Sequence, residues 1–137
     1  VFERLAYVLG MSGPTTTALE TLAANAGACR DFAHLTIALC RARGIPARLA
    51  AVYAPGLTPM DFHAVVEARV DGSWRVLDPT RLAPRSSLVR IATGRDAADT
   101  AFATTLVGDA ELLTFDATAT TDGDLPLDDH AAPVTLA

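Results

Sequence analysis

Three residues of this 137-residue chain, Cys29, His63 and Asp78, could do chemistry together. The run Gly27-Ala28-Cys29-Arg30-Asp31-Phe32 sets a thiol at the start of an apolar stretch that reads as a helix. Unpaired backbone N–H groups and the helix dipole favour an anion in such a first turn, and so a thiolate. Asp31, two residues on, opposes that charge while also being an ordinary first-turn acid. A cysteine beside a buried helix is commonly a core residue, so a nucleophile assignment needs a base.

A hairpin supplies one. Asp71-Gly72 reads as a two-residue type I′ turn, which pairs Val70 with Ser73 and carries the register to His63 opposite Thr80. Asp78 then sits two residues from that partner, diagonal to His63 on the same face and within reach of it. A slip of one residue would put the two on opposite faces. Thiol, imidazole and carboxylate together have the logic of nucleophile, base and orienter in acyl transfer. The same residues equally suit a half-buried strand histidine beside a turn-forming Asp78-Pro79.

These side chains need elements to hold them. Val1 to Gly13 is apolar and ends in a turn cluster. Thr17 with Glu20 matches a capping box and opens a short helix from about Ala18 to Asn25, ended by Gly27. From Cys29 to Arg43 apolar residues cover most of the helical wheel, which predicts a largely buried helix stopped by Gly44 and Pro46. The pattern then turns to period two, predicting strands over Ala47 to Tyr53, Phe62 to Val70 and Trp74 to Leu77. Weaker strand patterns follow at Leu88 to Thr93, Phe102 to Val107 and Leu112 to Ala117. Helices followed by an antiparallel sheet make an α+β domain over 1–115. Residues 116–137, acidic and without a basic side chain, read as a weakly structured, solvated tail.

Four segments carry a family resemblance: Cys29 to Leu35, Ala38 to Arg48 (ALCRARGIPAR), Asp61-Phe62-His63-Ala64, and Trp74 to Thr80 (WRVLDPT). In order and spacing they resemble bacterial members of the transglutaminase-like family, the papain-like cysteine superfamily in its Cys-His-Asp order. The resemblance covers roughly residues 15 to 115, including Gly94 to Asp99. It implies short helices packed on an antiparallel sheet, with the nucleophile cysteine at the N-terminus of the central helix. By position it makes Cys29 the nucleophile, His63 the base and Asp78 its orienter, with the Cys29 backbone N–H in the oxyanion hole. The chain departs from common family forms in having Val65 where an aromatic residue often follows the histidine. It also lacks a tryptophan shortly before the cysteine, its single one being Trp74. The β-sandwich that precedes this core in many bacterial members would lie upstream of Val1, so the chain reads as a fragment.

Composition narrows the classes of function. Half the residues are apolar, enough for one core, and the formal charge is −5 with all eleven basic residues arginine. That balance argues against nucleic acid and against an anionic membrane surface. No apolar run approaches the ~20 residues of a membrane span, and a cytoplasmic location is expected. Cys29 and Cys40 on one helix would stand about 16 Å apart, beyond the ~7 Å limit for a disulfide, so both are expected as free thiols. Cys40 reads as a small buried hydrophobe. His34, about 140° round the helix from Cys29, reads as structural, His130 as solvated, and Asp96 and Asp99 as turn or helix caps. Zinc-like pairing of ligands and a calcium loop are both missing from the pattern, so neither metal nor cofactor is expected. The leading expectation is a metal-independent amide-bond enzyme, peptidase, amidase or acyl transferase, acting on peptide, protein or isopeptide substrates through a Cys29 thioester. The alternative is a catalytically idle binding or scaffold domain of the same fold. Acyl transfer to an arylamine ranks third, since an acyl-CoA pocket has no signal.

Overall fold

A computed structural model describes residues 1–137. The elements in order are β1 (Ala6–Tyr7), α1 (Ala18–Ala24), β2 (Ala26–Gly27), α2 (Cys29–Ala42), β3 (Ala47–Tyr53), β4 (Phe62–Val70), β5 (Ser73–Leu77), a 3-10 turn (Arg85–Ser87) and β6 (Val89–Gly94). This is the expected α+β arrangement: two helices and an antiparallel sheet in the order β5-β4-β3-β6, with a small parallel β1-β2 pair beside them.

Local chemistry sets the boundaries. Thr17 and Glu20 form the capping box of α1, with Glu20 accepting from the Thr17 N–H at 2.8 Å. The helix ends at Asn25 in the left-handed region (φ 52°), not at Gly27, which lies in β2. An Asn tolerates that conformation because its side chain bonds locally. At the other end of α2, Gly44 (φ +72°) allows Ile45 N–H to reach the Cys40 carbonyl and Gly44 N–H the Arg41 carbonyl, both at 2.9 Å. That is a Schellman stop. The β4–β5 hairpin turns on Asp71 and Gly72, both at positive φ, and pairs Val70 with Ser73, as a type I′ turn requires.

The sheet is packed on both faces. Ala47, Leu49, Val66 and Ala68 pack against Ala33 and Ile37 of α2, while Leu39 on the outer side of that helix is exposed. The helix is therefore amphipathic rather than buried all round. Ala50, Val52, Val65 and Val76, of the opposite parity, cluster with Ala83, Leu88 and Leu136. Residues 116–137 form no helix or strand, yet they reach this second face. Leu136 is 8% exposed, the Val134 carbonyl accepts from Val76 N–H at 2.8 Å, and Asp128 accepts from both the side chain and the backbone N–H of Arg85 at 2.7–2.9 Å.

The strands expected at Phe102 to Val107 and Leu112 to Ala117 do not form, and Leu106 is 89% exposed. Alternation alone does not make a strand without a neighbouring ladder. Here Phe102 and Phe115 stack on Phe62 instead, with ring centroids 5.6 and 5.7 Å away.

Candidate active site

Cys29 occupies the first helical position of α2, after Ala28 as the N-cap. Alanine offers no capping oxygen, and Asp31 supplies the compensation: its Oδ2 accepts from Ala28 N–H at 2.9 Å, and its Oδ1 accepts from the Ser12 hydroxyl at 2.8 Å. Arg30 bonds the Gly13 carbonyl and lies 3.3 Å from Asp31. Asp31 is thus a buried clasp tying the first turn to the Ser12-Gly13 turn, a role the sequence reading did not foresee. The Cys29 N–H, in the first turn, has no intrahelical partner.

His63 lies on β4 and is 2% exposed. Its Nε2 is 3.0 Å from Asp78 Oδ2. Asp78 sits just beyond β5, where the ladder has ended at Val66 opposite Leu77, so the register brings the pair together past the end of the β4–β5 ladder, while His63 itself pairs with Val52 of β3. The other Asp78 oxygen accepts from the Thr80 N–H at 2.9 Å and its hydroxyl at 2.7 Å, the turn geometry that Asp favours two residues before an N–H. The Thr80 hydroxyl is also 3.3 Å from His63 Nε2. The expected His63–Thr80 juxtaposition survives as a side-chain contact, and Thr80 joins the cluster through the Asp-Pro-Thr turn.

Burial alone would push the His63 pKa down. The Asp78 hydrogen bond, with the neighbouring Cys29 and both their charges, outweighs it and holds the ring up to about 9. Burial would likewise raise Asp78, but His63 and the Thr80 bonds bring it below the usual carboxylate range. Both directions describe one buried ion pair. With Nε2 engaged by a carboxylate, Nδ1 is the ring nitrogen left over, and it is buried without a hydrogen-bond partner. With the Nε2 proton held by Asp78, Nδ1 is the nitrogen at which the ring takes up the second proton that makes it charged.

A fourth group borders the thiol. Tyr7 of β1 pairs with Gly27, and its phenol lies beside Cys29. A two-residue strand carries no readable periodicity, so no pattern in the chain pointed to it.

The remaining candidates fall elsewhere. His34 Nε2 accepts from Ala97 N–H at 3.1 Å, and burial and then Arg30 push its pKa down, in keeping with a structural acceptor. Asp99 and Asp96 bond backbone N–H groups of Arg95 and Ala98 as turn caps. Cys40, expected buried, is half-buried: it packs at the edge of the Ala33–Ile37 cluster as a free thiol, because the outer side of the helix around Leu39 faces solvent. His130 is not free in solvent: its Nδ1 lies 3.5 Å from the Asp128 carboxylate that holds Arg85. No group of three or more His, Cys, Asp or Glu side chains converges as metal ligands would, and no helix is long and apolar enough to cross a membrane.

Cys29 thus opens a helix, and His63 and Asp78 meet at neighbouring strands, on an α+β core. The sequence profile of the transglutaminase-like superfamily matches residues 1–79, which include Cys29, His63 and Asp78. The chain belongs to that superfamily. The match begins at Val1 and stops before β6, so the Gly94 to Asp99 segment lies outside it. An uncharacterized protein of Mycobacterium leprae is 32% identical over 111 residues, covering 72% of this chain and 38% of that protein. The crystal structure of a candidate cysteine protease from Cytophaga hutchinsonii is 44% identical with a TM-score of 0.74, covering 84% of this chain and 45% of that one. The chain thus spans less than half the length of both relatives.

Proposed function

We propose that this domain is a cysteine-dependent amide-bond enzyme in which Cys29 is the nucleophile, His63 its base and Asp78 the residue that orients His63. The observation that carries the reading is the buried His63–Asp78 bond at 3.0 Å, which engages Nε2 and leaves Nδ1 as the ring nitrogen without a partner. His63 Nδ1 takes the thiol proton, and the thiolate attacks a carboxamide carbon. Collapse of the adduct breaks the C–N bond, with imidazolium giving its proton to the leaving amine. Water, or a second amine, resolves the thioester.

The likeness to a candidate cysteine protease favours water as acceptor and a peptide or isopeptide as substrate. The test is amine release from peptide, γ-glutamyl and peptidoglycan-derived amides, with hydroxylamine added in parallel to reveal acyl transfer. Cys29→Ala and His63→Ala should each abolish turnover of whichever amide the parental chain cleaves. Turnover surviving in Cys29→Ala would remove the nucleophile assignment, and a parental chain inert to every amide would leave the idle-domain alternative standing.

A further inference from the structure

Resting on that reading of Cys29, we propose that the Tyr7 phenol is the second donor of the oxyanion hole, acting with the Cys29 backbone N–H on the carbonyl oxygen of the acyl donor. Four observations place it there. β1 lies parallel to β2 with Tyr7 opposite Gly27, two residues before the nucleophile, and Val8 N–H bonds the Gly27 carbonyl at 2.9 Å. The Tyr7 ring packs edge-on against Phe32, one turn into α2, with centroids 5.9 Å apart. Phe32 is itself fixed among Leu5 and Leu35, so the ring is held against the first turn of the helix. Held between Gly27 and Phe32, the phenol is close enough to Cys29 for that residue to act on it. Burial, then the charge on Cys29, pushes the phenol up to about 12, which keeps it a proton donor and unsuited to be a base.

The Cys29 N–H is one of the first-turn donors that a helix leaves unpaired. A carbonyl oxygen drawn to it also meets the phenol, and two donors then face the charge that develops there. In the acylation step the thiolate forms the C–S bond while the carbonyl π pair moves onto oxygen. Collapse returns that pair and expels the leaving group. Tyr7 donates a hydrogen bond throughout and loses no proton.

Two reactions of one thiol separate this role from packing. Acylation by p-nitrophenyl acetate builds an oxyanion and releases p-nitrophenolate. Alkylation by iodoacetamide displaces iodide at a saturated carbon and builds none. Tyr7→Phe keeps the ring on Phe32 and removes only the hydroxyl. The burst of acylation in the full 137-residue chain should slow on the order of a hundredfold, with the alkylation rate unchanged within a factor of about two. Unchanged acylation, or equal slowing of both reactions, overturns the proposal, the latter because Tyr7 would then act on the thiol itself. Cys29→Ala is the control: if it is acylated at the parental rate, the nucleophile reading fails, and the oxyanion hole fails with it.

Discussion

Replacing Asp78 with Asn tests the buried pair through both stability and rate. Asparagine keeps the size and can keep the Thr80 bonds, but it removes the negative charge 3.0 Å from His63 Nε2. A rise in the ring pKa from 6.5 to about 9 is a preference of about 3 kcal/mol for the charged imidazole, at ~1.4 kcal/mol per unit. Cys29 supplies part of it, so that figure is an upper bound for Asp78. A raised histidine stabilises the fold fully below the unfolded value of 6.5, and that contribution is lost as pH rises through about 9. Urea unfolding at a series of pH values should therefore show the parental chain losing up to about 3 kcal/mol across that window. The variant should be nearly flat there, because burial now acts on His63 without its carboxylate. Charge stabilisation of that size corresponds to roughly a hundredfold in rate, and loss of the tautomer that frees Nδ1 extends the loss toward ~10⁴-fold. NMR titration of the His63 ring proton reads the shift directly. A variant ring still titrating near 9, or a stability difference that does not change with pH across the window, would refute the pairing as the source of the shift.

Three further outcomes are expected. Brief iodoacetamide treatment at neutral pH should label Cys29 ahead of Cys40, as read by peptide mass spectrometry, because burial pushes the Cys40 thiol up while Cys29 has a helix N-terminus and an imidazole beside it. Leu136→Ala should lower stability in urea by about 2–4 kcal/mol, although the residue lies second from the C-terminus, since it fills the second-face cluster. Gly27→Ala would set a Cβ 2.6 Å from that of Asp31. Displacing the Asp31 clasp should cost roughly 1–3 kcal/mol and slow alkylation of Cys29, whereas a parental alkylation rate would show the clasp is dispensable for the thiol.

What could be read from the sequence had local causes. Periods of two and stop residues placed β3 and β4 at their observed bounds, and the Asp71-Gly72 turn propagated the parity of one hairpin to His63 and Asp78. What could not be read depends on single long-range contacts. Tyr7 reaches Cys29 through a two-residue strand, Asp31 reaches Ser12 across the turn cluster, and Arg85 meets Asp128 over 43 residues. None of these contacts repeats along the chain, so none leaves a period. The error at Phe102 to Ala117 has the opposite origin, a period present without a ladder to satisfy it.

The second face of the sheet explains why so irregular a segment bears on the site. His63 and Asp78 share strand parity with Val65 and Val76, whose other neighbours are Ala83, Leu88 and Leu136, all beyond residue 79 where the family match stops. Residues 1–79 alone would leave that apolar surface open to water, at a penalty that scales at roughly 25 cal/mol per Å². The closing segment is fastened by charge as well as by packing. Glu67, buried on β4, holds Arg48 at 2.8 Å and Arg90 at 2.5 Å, and Arg90 in turn donates to the Leu136 carbonyl at 3.3 Å. Arg85 bridges the Val76 carbonyl and Asp128 from the other side. The strands that position His63 and Asp78 are therefore kept dry by a segment with no regular structure of its own. Lengthening or loosening that segment should act on the imidazole's surroundings before it acts on the helix that carries the thiol.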